Sequence, residues 1–182
     1  MRSKAVVVLV LGGLMVAAFG QPPAQAAVQA ASSGHVVEEA GFSIAFPGEP
    51  QRLEPEVPNP DPGAPPLTGV QYTYASLSGA FTLAYLEPPD VAGEDPAVTL
   101  DESVRDTVEA VDAELLSSAP AVVAGYPAVD FAARSGLFFV MARNVLVGGR
   151  LYSLSGIALR GFRGGGTIEG YDEFVASFTP RP

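Results

Sequence analysis

Apolar and polar residues alternate singly along much of this chain, and a period of two predicts strands. Phe42, Ile44 and Phe46 share one side and Ser43 and Ala45 the other, until Pro47, Gly48 and Pro50 stop the run at a corner. Gln51–Val57 is expected to pair back. Val70, Tyr72 and Tyr74 share a face opposite Gln71 and Thr73, and Phe81, Leu83 and Tyr85 share one around Thr82 and Ala84. Ser78-Gly79 between these two runs predicts a hairpin. The period then changes. Leu100, Val104, Val108, Val111 and Leu115 recur at helical spacing, while Arg105, Glu109, Asp112 and Glu114 lie off that stripe. Thr99 and Glu102 fit a T-x-x-E capping box, so the helix is predicted to open at Thr99, with Asp101 and Glu102 at the positive end of its dipole.

Three strands are predicted after the helix. Ala128–Arg134 sets Val129, Phe131 and Ala133 on one side, and Leu137–Val147 is apolar on both sides, as a central strand is. Gly148-Gly149 suits a two-residue primed turn leading into Arg150–Leu159. Tyr171, Phe174, Val175 and Phe178 follow at i, i+3, i+4 and i+7, the pattern of a short closing helix. The order of strands, long helix, three antiparallel strands and short helix predicts an α+β domain, a central antiparallel sheet with helices packed on it. Two proline-rich loops, 58–66 and 87–98, interrupt it.

The ends add a location. Arg2 and Lys4 precede an apolar run from Ala5 to Phe19, and Ala24-Gln25-Ala26 is an A-x-A cleavage site, so residues 1–26 read as a signal peptide and the mature chain is expected to begin at Ala27. The run is shorter than the roughly 20 residues that cross a bilayer. Residues 27–35, with the sole histidine His35, are expected to form a flexible leader, and 36–182 a single domain. The expected location is extracytoplasmic, periplasmic or secreted. The chain has no cysteine, so its core and not disulfides must hold it.

Composition narrows the chemistry. The formal charge is −10, and loss of Arg2 and Lys4 leaves twenty acids against eight arginines, or −12, with no lysine. Nucleic acid is therefore not an expected partner, since phosphate binding needs clustered Lys and Arg. Nucleophilic catalysis lacks a cysteine, a mature lysine and any histidine but His35, and no G-x-S-x-G occurs, so no catalytic residue is assigned. The adjacent acids Glu94-Asp95, Asp101-Glu102 and Asp172-Glu173 read as solvated or capping groups rather than a glycosidase pair, whose members must flank a bond. Glu87, Asp90, Glu94 and Asp95 crowd one loop and offer calcium oxygen ligands, but the EF-hand spacing is absent and no metal site is assigned. Gly164-Gly165-Gly166 beside Arg163 lacks the lysine and Ser/Thr of a P-loop and reads as a connector, so no cofactor site is assigned. Arg143 next to Asn144 on the central strand needs a partner, for which Asp130 on the neighbouring strand is the expected one.

The stretches "FSIAFPGEPQ" (42–51), "AGYPAVDF" (124–131), "RLYSLSGIAL" (150–159) and "FVASF" (174–178), in that order, resemble the bacterial exported domains of the PsbP/Mog1-like family. The resemblance covers about residues 36–179 and implies an α/β/α sandwich around an antiparallel sheet. It implies no enzyme, and no functional residue of the family carries over. The basic residues by which photosystem subunits dock are missing here. The function expected is that of a non-enzymatic interaction or accessory domain binding an envelope or secreted protein, through the sheet rim or the loops 58–66 and 87–98. The second reading is a carrier of a small apolar or cationic ligand in a pocket between sheet and helix.

Overall fold

The structure is a computed structural model that describes residues 34–57, 63, 65–76, 79–87, 95–136, 138–159 and 168–181. The signal segment 1–26, most of the leader, most of the two proline loops and the glycine run 164–166 with Arg163 lie outside the described residues.

Among the described residues, eleven strands and two helices follow in the order β1 (His35–Glu39), β2 (Phe42–Phe46), β3 (Gln51–Leu53), β4 (Glu56–Val57), β5 (Leu67–Ala75), β6 (Ala80–Glu87), α1 (Pro96–Ala110), β7 (Glu114–Val123), β8 (Tyr126–Arg134), β9 (Phe138–Val147), β10 (Arg150–Leu159), α2 (Tyr171–Ala176) and β11 (Thr179–Pro180). An eight-stranded antiparallel sheet runs β3-β5-β6-β10-β9-β8-β7, with β4 also paired to β5. A second sheet of three strands runs β1-β2-β11.

This arrangement corrects the expected α/β/α layering. The strand at Phe42–Phe46 does not join the large sheet; it pairs with β1 on one side and β11 on the other. One face of the large sheet is therefore covered by α1, and the opposite face by the small sheet together with the short α2. The α+β class stands, with more sheet and less helix than the sandwich has.

The two faces have different cores. Against the small sheet lies an aromatic layer: Phe42 sits edge-on to Tyr72, Tyr85 and Tyr152, at centroid distances of 6.2, 5.7 and 5.6 Å. Phe174 of α2 stacks on Phe46 and Phe81. The corner after β2 is structural: a Cβ on Gly48 would lie 2.5 Å from the Tyr74 ring, so only glycine lets the chain turn there. The Gly148-Gly149 turn has both residues at positive φ, 58° and 82°, and joins β9 to β10 in the expected register.

Three expectations about elements change. His35, expected in a leader, is the first residue of β1 and pairs with Phe46. The helix opens at Pro96, not Thr99: Asp95 is the N-cap, accepting from Ala97 N at 2.9 Å, and Thr99 is buried inside the helix. Proline at the first turn loses no bond that the helix would use, which moves the start upstream. The helix also ends at Ala110, so Leu115 belongs to β7, a strand the sequence pattern does not reveal. Among the described residues no helix is long and apolar enough to cross a membrane.

Candidate functional site

The predicted chemical residues disperse. Asp95 is spent on the N-cap of α1, and Glu102 lies 3.5 Å from Arg105 on the exposed side of that helix. Asp172 and Glu173 are exposed in the first turn of α2. Asp90 and Glu94 lie outside the described residues, and among the described ones no group of three or more His, Cys, Asp or Glu is placed to hold a metal. Arg143 does meet Asp130, its direct cross-strand neighbour, in a two-point ion pair of 2.6 and 2.8 Å. That bond to the carboxylate raises the Arg143 pKa. The pair is satisfied within itself and reads as structural.

What the structure brings together instead is a belt of small polar side chains on the α1 face of the large sheet. Strand pairing sets Gln71, Ala84, Ser153 and Asn144 in one row across β5, β6, β10 and β9. The next row is Thr73, Thr82, Ser155 and Ala142. From α1, Thr99, Ser103, Asp106 and Thr107 recur at i, i+4, i+7 and i+8 and are all buried. These ten polar residues are every buried polar or charged residue among those described. The aromatic face has none apart from its tyrosines, so the asymmetry is built into the sequence, strand by strand.

The belt is cross-linked. Asn144 Nδ2 donates to Ser103 Oγ at 2.8 Å, and Ser103 Oγ donates to the Leu100 carbonyl at 2.7 Å. Because Ser103 has already given its single proton to Leu100, it can only accept from Asn144, which fixes the amide with Oδ1 turned away. Thr107 Oγ1 donates to the Ser103 carbonyl at 2.8 Å. Gln71 Nε2 donates to Thr73 Oγ1 at 2.8 Å, and Thr73 and Thr82 share a proton at 3.3 Å. Three buried atoms of the belt are left over: Gln71 Oε1, Asn144 Oδ1 and Ser155 Oγ. An unmet buried acceptor costs about 1–3 kcal/mol.

A second feature lies on the other flank of α1. There the helix and β7 bound an open groove of about 500 Å³, lined by Asp101, Val104, Arg105, Val108, Glu109, Leu115 and Ser118. β7 is the edge of the large sheet, and it exposes Leu115, Leu116 and Val122, the last at 73%. Val98, one turn before Asp101 on α1, is also exposed. The sequence reading missed both features. The signal for the first was present: Gln71, Thr73, Thr82, Ser153 and Ser155 keep one strand parity, and α1 carries a polar stripe beside its valine stripe.

The fold places the chain among known structures. It superimposes on cyanobacterial PsbP (CyanoP) from Synechocystis sp. PCC 6803 with a TM-score of 0.56 at 13% identity, over 90% of this chain and 99% of that one. It also matches PA94 from Pseudomonas aeruginosa, a protein of unknown function, with a TM-score of 0.51 at 8% identity, over 74% of this chain and 99% of that one. No family model and no curated protein matches the sequence. The fold is PsbP-like, and at these identities the likeness extends to the fold alone.

Proposed function

We propose that this chain is an exported, non-enzymatic accessory domain that binds another extracytoplasmic protein through the α1–β7 edge. The observations that carry the reading are the exposed apolar side chains of an edge strand, Leu115, Leu116 and Val122, and the groove that Leu115 lines together with Val104 and Val108 of α1. Exposed apolar patches of this kind mark protein contacts. Strand β7 carries a bulge between Leu115 and Ser117, and Pro120 within it lacks a backbone N–H. Both features blunt strand addition. The partner therefore docks on side chains, as a helix or loop laid in the groove, rather than as an added strand. The export signal and the acidic charge support the location and argue against nucleic acid.

The test is co-purification from the native envelope with wild type and a Leu116→Asp/Val122→Asp variant, followed by mass spectrometry. A partner recovered by the wild type and lost by the folded variant supports the reading. A partner recovered equally by both removes the edge from consideration. Fractionation with N-terminal sequencing checks the location; protein starting at Ala27 outside the cytoplasm is the expected result.

A second reading, a carrier of a small apolar or cationic ligand between sheet and helix, draws on the buried polar belt and its leftover polar atoms.

A further inference from the structure

We propose that the groove between α1 and β7 receives a basic amphipathic helix of the partner, its apolar residues laid on Val104, Val108 and Leu115 and its lysines or arginines on Asp101 and Glu109; the proposal rests on the docking reading and adds the chemistry of what docks. The groove has two walls. Along α1 its lining residues are Asp101, Val104, Arg105, Val108 and Glu109, and across from them stand Leu115 and Ser118 of β7. The spacing i, i+3, i+4, i+7 and i+8 keeps to one face of α1, so the groove follows the helix axis for about 12 Å, a little over two turns. That length suits a second helix, which reaches such a wall with side chains at i, i+3, i+4 and i+7. The α1 wall has an inner row, Val104 and Val108, and an outer row that reads acid, base, acid: Asp101, Arg105 and Glu109, all three exposed.

The charges select the kind of helix. Arg105 is drawn to Glu102, 3.5 Å away and outside the groove lining, and Arg134 holds Glu114 at 2.6 Å. Among the described residues no cation pairs with Asp101, Glu109 or Asp112. Glu109 and Asp112 also lie at the C-terminal end of α1, whose last turn has no basic residue. Negative charge at the negative pole of a helix is unfavourable, and a lysine or arginine brought from outside relieves it. Asp101 and Glu109 stand at the two ends of the outer row with Arg105 between them, so the incoming cations are spaced about two turns apart and flank an apolar middle. Neither described helix of a second copy supplies such a segment. Helix α1 carries four acids against one arginine, and α2 has two acids and no base. The occupant is therefore a helix of another protein.

The probe is a displayed library of helix-forming peptides of about 16 residues, some four turns, selected on the mature protein. The expected winners carry Leu, Ile, Phe or Met at i, i+3, i+4 or i+7 with Lys or Arg on both flanks. One winner is then titrated by fluorescence anisotropy. Leu115→Asp, at an exposed position that spares the fold, should weaken it at least about tenfold, as should Asp101→Lys/Glu109→Lys, since like charges across an interface repel. The charge-reversed variant should in turn prefer the same peptide with glutamate for its flanking bases, a swap of preference that damage to the fold does not produce. Leu116→Asp/Val122→Asp lies outside the groove lining and should leave the peptide affinity unchanged. A natural partner lost with Leu116 and Val122 but indifferent to the charge reversal thus keeps the docking reading and removes this one; peptides selected as expected, with no such partner, do the opposite. Four results would overturn the proposal: no enrichment; winners that are acidic or lack a helical period; binding that ignores both groove variants and vanishes with salt, which is diffuse attraction to an acidic chain; or a dimer in sedimentation that Leu115→Asp dissolves, which gives the groove to a second copy.

Discussion

Tyr171 keeps its hydroxyl buried without a partner, and burial, with the Asp130 charge adding to it, raises its pKa above the usual 10. Tyr72 shifts the same way, by burial first and then by its bond to Glu39. In the unfolded chain both phenols ionise near pH 10. The fold holds on to protons that the unfolded chain releases, so this contribution to stability is complete below about pH 10 and is lost as the pH climbs above it. Tyr171→Phe removes a hydroxyl that makes no bond. It should leave the urea midpoint at pH 7 unchanged or higher, and flatten the alkaline decline. A clear drop at pH 7 would show that the hydroxyl is satisfied after all. Ala124 is a second residue under local constraint. It sits at φ 50° ahead of Gly125 at φ 88° in the turn from β7 to β8. That left-handed conformation costs a non-glycine residue about 1–2 kcal/mol, and asparagine tolerates it better than alanine. Ala124→Asn is expected to raise stability by roughly 0.5–1 kcal/mol, read as a higher melting temperature.

Helix α1 presents two buried stripes, Leu100 and Val104 on one and Thr99, Ser103 and Thr107 on the other. Val104→Asp would bury a charge against Val129, Phe131 and Val140 of the same core and should cost about 3 kcal/mol or more. Glu109→Ala, on the exposed side, should stay within about 0.5 kcal/mol. Equal denaturation midpoints for the two would mean the helix is turned the other way. On β7, Pro120→Val returns a backbone donor to the edge and is expected to promote self-association at unchanged unfolding midpoint, seen as a concentration-dependent rise in light scattering. A variant that stays monomeric at all concentrations would remove Pro120 as a guard. Elements with buried faces were legible in the sequence: β2, the β5–β6 hairpin, β8 and the α1 valines show their period, β9 shows as a run apolar on both sides, and β10 follows from the Gly148-Gly149 turn. β7 was not legible, because nearly every residue from Glu114 to Pro120 is exposed on both faces and burial imposes no alternation there. The helix start was misplaced because Asp95-Pro96 and Thr99-x-x-Glu102 are both valid openings, and local pattern does not rank them. The belt stayed hidden for a different reason. Serine and threonine on a strand read as facing solvent, and only the packing of distant elements shows that these ones do not.

Across the whole molecule the large sheet separates an aromatic layer from a polar one. Replacing Gln71, Thr73 and Thr82 together by Leu, Val and Val removes an unmet acceptor and a self-contained hydroxyl pair. The triple variant is expected to be more stable by about 1–3 kcal/mol, since apolar replacement of a partly satisfied network is neutral or favourable. Lower stability by denaturant titration would show that the network already closes on itself. The aromatic layer closes through the last residues described. Strand β11 pairs Thr179 with Ser43 and Pro180 with Phe42, Ser177 Oγ accepts from Ala45 N at 2.9 Å, and Arg181 N donates to the Gly41 carbonyl at 2.8 Å. Phe178 lies on Phe42 and Tyr152. A chain emerging N-terminus first thus exposes Phe42 and Phe46 early, and their cover stays incomplete until residues 174–181 have followed. The clasp is therefore expected to close last, so that the small sheet locks onto the large one only when those residues arrive.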